Sequence, residues 1–179
     1  MELRVGDKAP EFELEDQNGK KVKLSDYRGK KVLLSWHPFA YTGVCTDQMR
    51  ALEVNADRLA KHNTVALGIS VDPAPAKKAW AAMLPMRKTP ILADFYPHGK
   101  VSKDYGTFFE DTGASGRLNV LVDEQGNIEW MKVYERSTLP DIEDVFRHLE
   151  SEEGKPGRDA GADTARAQVS DTGGINIED

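Results

Sequence analysis

The chain holds one cysteine in 179 residues, so no disulfide can form within it and a stapled secreted scaffold is excluded. There is no C-x-x-C pair, which removes disulfide exchange of the thioredoxin type. No apolar run approaches the roughly 20 residues that cross a bilayer, and the opening MELRVGDKAPEFELEDQNGKK is too charged for a secretory signal. The expected location is the cytoplasm, with no membrane partner. Positive charge is also short: the net charge of −6 argues against nucleic acid as a general partner. The four histidines, at 37, 62, 98 and 148, have no metal-ligand spacing. No internal repeat occurs. What remains is an ordinary globular composition, 39% hydrophobic and 30% charged, long enough for one domain with a real core.

Hydrophobic periodicity then divides the chain. Apolar residues at 12–14 and 22–24 flank DQNGK, whose Asn18-Gly19 predicts a hairpin. KVLLSWH (31–37) and TVALGISV (64–71) read as strands buried on both faces. Between them Met49, Leu52, Ala56, Leu59 and Ala60 recur at helical spacing, predicting a helix over 46–62. Further helices are predicted at 76–84, 100–105 and 140–149, a short strand at 91–93, and a second hairpin from 118–122 and 128–133. Strand, helix and strand in succession imply a right-handed parallel crossover within an α/β architecture, a central mixed sheet flanked by helices with an N-terminal β-hairpin. From Ser151 the composition turns to Gly, Ala and Asp, so the domain is expected over 1–150 and a low-complexity tail over 151–179. The alternating run at 175–177 and the two-sided apolar strand at 128–133 suggest a homodimer, with the tail docked on its own subunit or the partner.

The lone cysteine falls in WHPFAYTGVCTDQMR (36–50), just past the carboxyl end of a central strand, where open α/β sheets bind ligands. A helix N-terminus carries unpaired N–H groups and partial positive charge, both of which favour a thiolate. Thr42 precedes Cys45 by three residues and can set a hydroxyl beside the sulfur. Pro38 stiffens the entering loop. Such an arrangement suits a positioned nucleophile.

Pro38, Thr42 and Cys45 spell P-x-x-x-T-x-x-C, and the chain here resembles the peroxiredoxins. The resemblance runs from about residue 4 to 149, through VGDKAPEFELEDQNG, LSDYRGKKVLLSW, ILADFYPHGKVSKDYG, and Arg117 before LNVLVDEQG. It implies a thioredoxin-like fold and reduction of hydrogen peroxide or alkyl hydroperoxides through a Cys45 sulfenic acid. It further implies that Thr42, Arg117 and the N–H groups near Val44 and Cys45 bind the peroxide oxygens, that Pro38 shields the sulfur, and that no metal, haem or flavin takes part. Two departures stand out. Gln48 occupies a position where many relatives have glutamate, so an arginine–carboxylate link is missing or rebuilt. No second cysteine is present, so an external thiol or a thioredoxin-like reductant must recycle the enzyme.

Other readings remain open at this level. Thr42 also suits a helix N-cap, Arg117 a surface salt bridge, and His37 either a structural role or tuning of the thiolate. Trp36, Trp80 and Trp130 read as core or interface. DTGAS (111–115), with Asp171-Thr172-Gly173, resembles an aspartic-protease motif, but such enzymes need two carboxylates on an all-β frame. A peroxide sensor or redox relay would share the first chemical step, without high turnover.

Overall fold

The computed structural model describes residues 2–153. In chain order the elements are β1 (Glu13–Glu15), β2 (Lys21–Lys23), a 3-10 turn (Leu24–Tyr27), β3 (Lys31–Trp36), α1 (Gly43–Val54), α2 (Ala56–Lys61) and β4 (Thr64–Ser70). There follow α3 (Ala74–Met83), β5 (Ile91–Ala93), α4 (Lys100–Asp104), β6 (Phe108–Phe109), β7 (Ala114–Ser115), β8 (Arg117–Val122), β9 (Ile128–Tyr134) and α5 (Ile142–Glu153). Seven strands form one mixed sheet in the order β2-β1-β5-β4-β3-β8-β9. The crossovers β3-α1/α2-β4 and β4-α3-β5 are parallel, while β8 returns antiparallel to β3. This is the mixed sheet with flanking helices expected from the sequence.

Strand alternation sorts the core into two layers. Val32, Leu34 and Trp36 of β3 pack with Leu14, Val22, Val101 and Tyr105 on one face. Leu33 faces the other side, among Met49 and Leu52 of α1, Leu59 of α2, Trp80 of α3 and Phe146 of α5. Close packing of α1 depends on Gly68. A Cβ there would lie 2.4 Å from the Met49 sulfur and 3.0 Å from Ile91 Cγ2, so any larger residue would force the Met49 side chain of α1 to shift.

Three departures from the periodicity have local causes. The helix expected over 46–62 begins at Gly43 and breaks at Asn55, whose side-chain amide donates to Ala51 O at 2.8 Å. A two-stranded hairpin, β6–β7, was not signalled, since its strands have only two residues each. The last helix continues to Glu153, beyond the expected start of the tail at 151. The tail's apolar runs and the second Asp-Thr-Gly lie outside the described residues. No helix among the described residues is long and apolar enough to cross a membrane.

Candidate active site

The register of the central strands assembles the site. Because β3 and β8 are antiparallel with Trp36 opposite Leu118, the carboxyl end of β3 meets the start of β8. The loop leaving β3 leads into α1, and Arg117 opens β8 beside it. Side-chain alternation puts Arg117, Asn119 and Leu121 on the face that carries α1. Arg117 thus meets Gln48 of α1, 69 positions away in the chain, for reasons of topology alone.

Cys45 is the third residue of α1 and is fully buried. The first helical main-chain bond is Thr46 N to Thr42 O, 2.9 Å, so the N–H groups of Gly43, Val44 and Cys45 have no acceptor within the helix. Thr42 holds the N-cap position, yet its hydroxyl does not cap. It donates to the Phe39 carbonyl at 3.0 Å, which leaves its lone pairs free on an exposed residue. Pro38 is buried behind this turn. Tyr41 is in the left-handed region, φ 68°, a conformation that costs a non-glycine residue roughly 1–2 kcal/mol. Two bonds hold it there: Ala40 N donates to Asp72 Oδ2 at 2.9 Å, and the Tyr41 hydroxyl donates to Ala76 O at 3.0 Å.

Arg117 is buried, 4% exposed, which rules out the surface salt-bridge reading. Its Nη1 donates to Gln48 Oε1 at 2.8 Å and its Nε to Arg136 O. Gln48 is also buried, and its amide nitrogen donates to Trp36 O at 3.0 Å and Ser35 Oγ at 2.8 Å. Ser35 in turn donates to Asn119 Oδ1 at 2.7 Å. The arginine link is therefore rebuilt with a neutral amide. Among the described residues no carboxylate bonds the guanidinium, which is directed by a chain of buried polar groups that reaches across two strands.

His37, with no exposure, lies beneath the loop against Trp80 at 5.3 Å between ring centroids. Burial first, then the nearby Lys77 and Arg117 charges, pushes its pKa well below the usual 6.5, so the ring is neutral. Its Nδ1 is buried without a hydrogen-bond partner, and its Nε2 lies 3.5 Å from Lys77 Nζ. Lys77 was not singled out in the sequence, although a signal exists: it heads the stripe Lys77, Trp80, Ala81, Leu84, which is apolar apart from the lysine. Asp111 of the DTGAS stretch stands exposed in the β6–β7 turn, while Ser115 donates to the His37 carbonyl at 2.7 Å. That segment braces the site and does not pair carboxylates. No cluster of His, Cys, Asp or Glu suited to a metal occurs among the described residues.

Comparison with known proteins identifies the family. Residues 5–131 match the AhpC/TSA family. Alkyl hydroperoxide reductase E of Mycobacterium tuberculosis is 39% identical over 140 residues, covering 78% of this chain and 91% of the relative. A thiol peroxidase of Oceanobacillus iheyensis is 34% identical over 149 residues, covering 83% and 89%. Among solved structures, reduced 2-Cys peroxiredoxin of Plasmodium vivax superposes with a TM-score of 0.78 at 28% identity, over 84% of this chain and 82% of that one. With the family matched over most of its length and the thioredoxin-like fold shared, this chain belongs to the AhpC/TSA family of peroxiredoxins.

Proposed function

We propose that Cys45 is the reacting thiol of a thiol-dependent peroxidase, with Thr42, Arg117 and the first-turn N–H groups of α1 binding the peroxide and Pro38 shielding the sulfur. The observation that carries this reading is that the helix with Cys45 in its first turn also bears Gln48, which binds the buried Arg117 guanidinium, a charge that no carboxylate meets in the contacts among the described residues. The thiolate attacks one peroxide oxygen. An S–O bond forms, the O–O bond breaks, and the other oxygen leaves as hydroxide or alkoxide and takes a proton. The Thr42 hydroxyl, its own proton committed to Phe39 O, accepts a hydrogen bond from the peroxide O–H. Arg117 and the helix N–H groups stabilise charge as it moves to the leaving oxygen.

Cys45 has no exposed surface, so reaction requires a local opening of loop 38–42. With no second thiol in the chain, the sulfenic acid condenses with an external thiol, releasing water, and a second thiol frees Cys45 from the mixed disulfide. The reductant is a small thiol or a thioredoxin-like protein, and the enzyme acts in the cytoplasm, where such thiols are abundant. We also assign a homodimer. The sheet ends at β9, where Val133 is 48% exposed beside an apolar pocket lined by Leu3, Phe109 and Met131. Domain and tail are assigned to 1–150 and 151–179, with α5 running on to Glu153.

Stopped-flow mixing with hydrogen peroxide and an organic hydroperoxide, followed by added thiols, tests the assignment. Many peroxides consumed per subunit are expected. A reaction that halts near one per subunit with every thiol would point to the sensor or relay role. Sedimentation that shows only monomer at micromolar concentration would remove the dimer.

A further inference from the structure

Lys77 is among the largest fully buried side chains, with no exposure, alongside Trp36 and, at 1%, Trp80. Its polar contact is an imidazole, His37 Nε2 at 3.5 Å, rather than a carboxylate. The helix that carries it packs on the active loop and α1, since Trp80 and Ala81 share one buried cluster with Ala40 and Cys45, and three acidic groups from other parts of the fold act on its charge: Asp72 after β4, Cys45 in α1 and Asp94 after β5. Both carboxylates are committed elsewhere. Asp72 accepts from Ala40 N and Ser70 Oγ, and Asp94 accepts from Val101 N, Ser102 N and Ser102 Oγ. Cys45, buried and free, is the acidic neighbour without a committed donor among the described residues.

The same segment also holds the loop. Asp72 fixes Ala40, Ala76 receives the Tyr41 hydroxyl, and Lys77 meets His37, the residue before Pro38. An isolated buried ammonium would be expelled or neutralised. Burial is here the largest influence on Lys77, lowering its pKa to about 7, against which Asp72, Cys45 and Asp94 act in that order. A group so balanced carries its proton in proportion to the negative charge beside it.

We propose that Lys77 is a positioning cation for the peroxidase reaction: its buried ammonium is the counter-charge of the Cys45 thiolate and, through His37, it holds the end of β3 from which the active loop departs. This rests on Cys45 being the reacting thiol. Oxidation removes the negative charge from sulfur, so the proton kept on Lys77 is then released. The step balances as thiolate plus ROOH plus lysine ammonium giving sulfenic acid, ROH and neutral lysine. The S–O bond forms as the O–O bond breaks, sulfur gives two electrons to the peroxide, and the alkoxide receives a proton through solvent. Lys77 needs no contact with the substrate for this. The charged and ionisable groups that act on this pair are His37, Asp72, Asp94 and Cys45 on Lys77, and Arg117 on His37.

The test uses the full chain. Lys77→Met keeps length and removes charge. At pH 6, alkylation of Cys45 by iodoacetamide and its oxidation by hydrogen peroxide are both expected to slow about tenfold, as for loss of one nearby counter-charge. The alkylation difference should close by pH 10, where Lys77 is neutral in the wild type. Identical pH profiles for the two proteins would overturn the proposal. A second measurement leaves Lys77 unchanged: its 13Cε resonance is followed against pH in the reduced wild type and in Cys45→Ser. Coupling between sites is reciprocal, so loss of the thiolate should move the Lys77 midpoint to lower pH. An unmoved midpoint would contradict the pairing. Peroxidase activity persisting in Cys45→Ser would instead end the assignment of Cys45, a result separate from both comparisons.

Discussion

Gln48→Met removes three buried hydrogen bonds at once: to Arg117 Nη1, Trp36 O and Ser35 Oγ. Volume is nearly conserved, so cavity formation contributes little and the cost is mainly that of orphaned polar groups. A buried carbonyl and a buried guanidinium N–H left unpaired cost about 1–3 kcal/mol each. A net loss of about 2–6 kcal/mol follows, which for a domain of this size lowers the melting temperature by roughly 5–25 °C. Arg117 keeps its bond to Arg136 O, so it stays near the site without fixed orientation. Misplacement on the order of 1 Å costs up to about 10²-fold in rate, and a loss of at least tenfold in the peroxide reaction is expected. Gln48→Glu separates the contributions. It offers Arg117 an acceptor but cannot donate to Trp36 O, so its rate should lie nearer the wild type than its melting temperature does. Thermal melting and stopped-flow oxidation read both quantities. A Gln48→Met protein that melts within a degree of the wild type and reacts at the same rate would refute the role given to this network.

Arg117→Met should slow oxidation of Cys45 by roughly 10²- to 10³-fold, or about 2.7–4 kcal/mol, as for loss of one donor aimed at developing charge, and Thr42→Val, which removes the acceptor for the peroxide O–H, should slow it as well; wild-type rates in both would contradict the site geometry. After peroxide, non-reducing electrophoresis should show at most a Cys45–Cys45 dimer, and added thiol should yield a mixed disulfide at Cys45; turnover with no thiol present would be incompatible with the cycle. Stability should rise with pH between about 5 and 9. His37 is held neutral, its folded pKa well below 6.5, and Lys77 is lowered from 10.5 to about 7. The unfolded chain therefore binds more protons than the native one below 6.5 and between 7 and 10.5, and the slope is positive in both windows. Melting curves against pH check this, and Lys77→Met should flatten the part above pH 7.

Much of the fold was legible because the signals were local. The apolar runs of β3 and β4, the Asn18-Gly19 turn and the stripe through Met49, Leu52 and Leu59 each name their element. The motif Pro38, Thr42, Cys45 was legible for the same reason: its spacing is carried by one loop and one helical turn. Arg117 could be singled out only through family resemblance. Nothing local announces that it meets α1, since the contact arises from the antiparallel pairing of β3 with β8. Gln48 was noticed as a departure, and its answer lay in Ser35 and Asn119, buried partners on two other strands. Lys77 escaped because a lysine on a helix is ordinarily solvated. Only the packing of α3 against the His37 loop takes it out of water.

The central claim, that Cys45 performs the chemistry, is tested most directly by mass spectrometry and peroxide consumption on wild type and Cys45→Ser. Stoichiometric peroxide should add one oxygen to the wild-type chain, mapped to Cys45, and excess peroxide two or three. Cys45→Ser should keep its fold, take up no oxygen at position 45 and consume no peroxide with any thiol. Thiol-dependent turnover surviving in that variant would contradict the account.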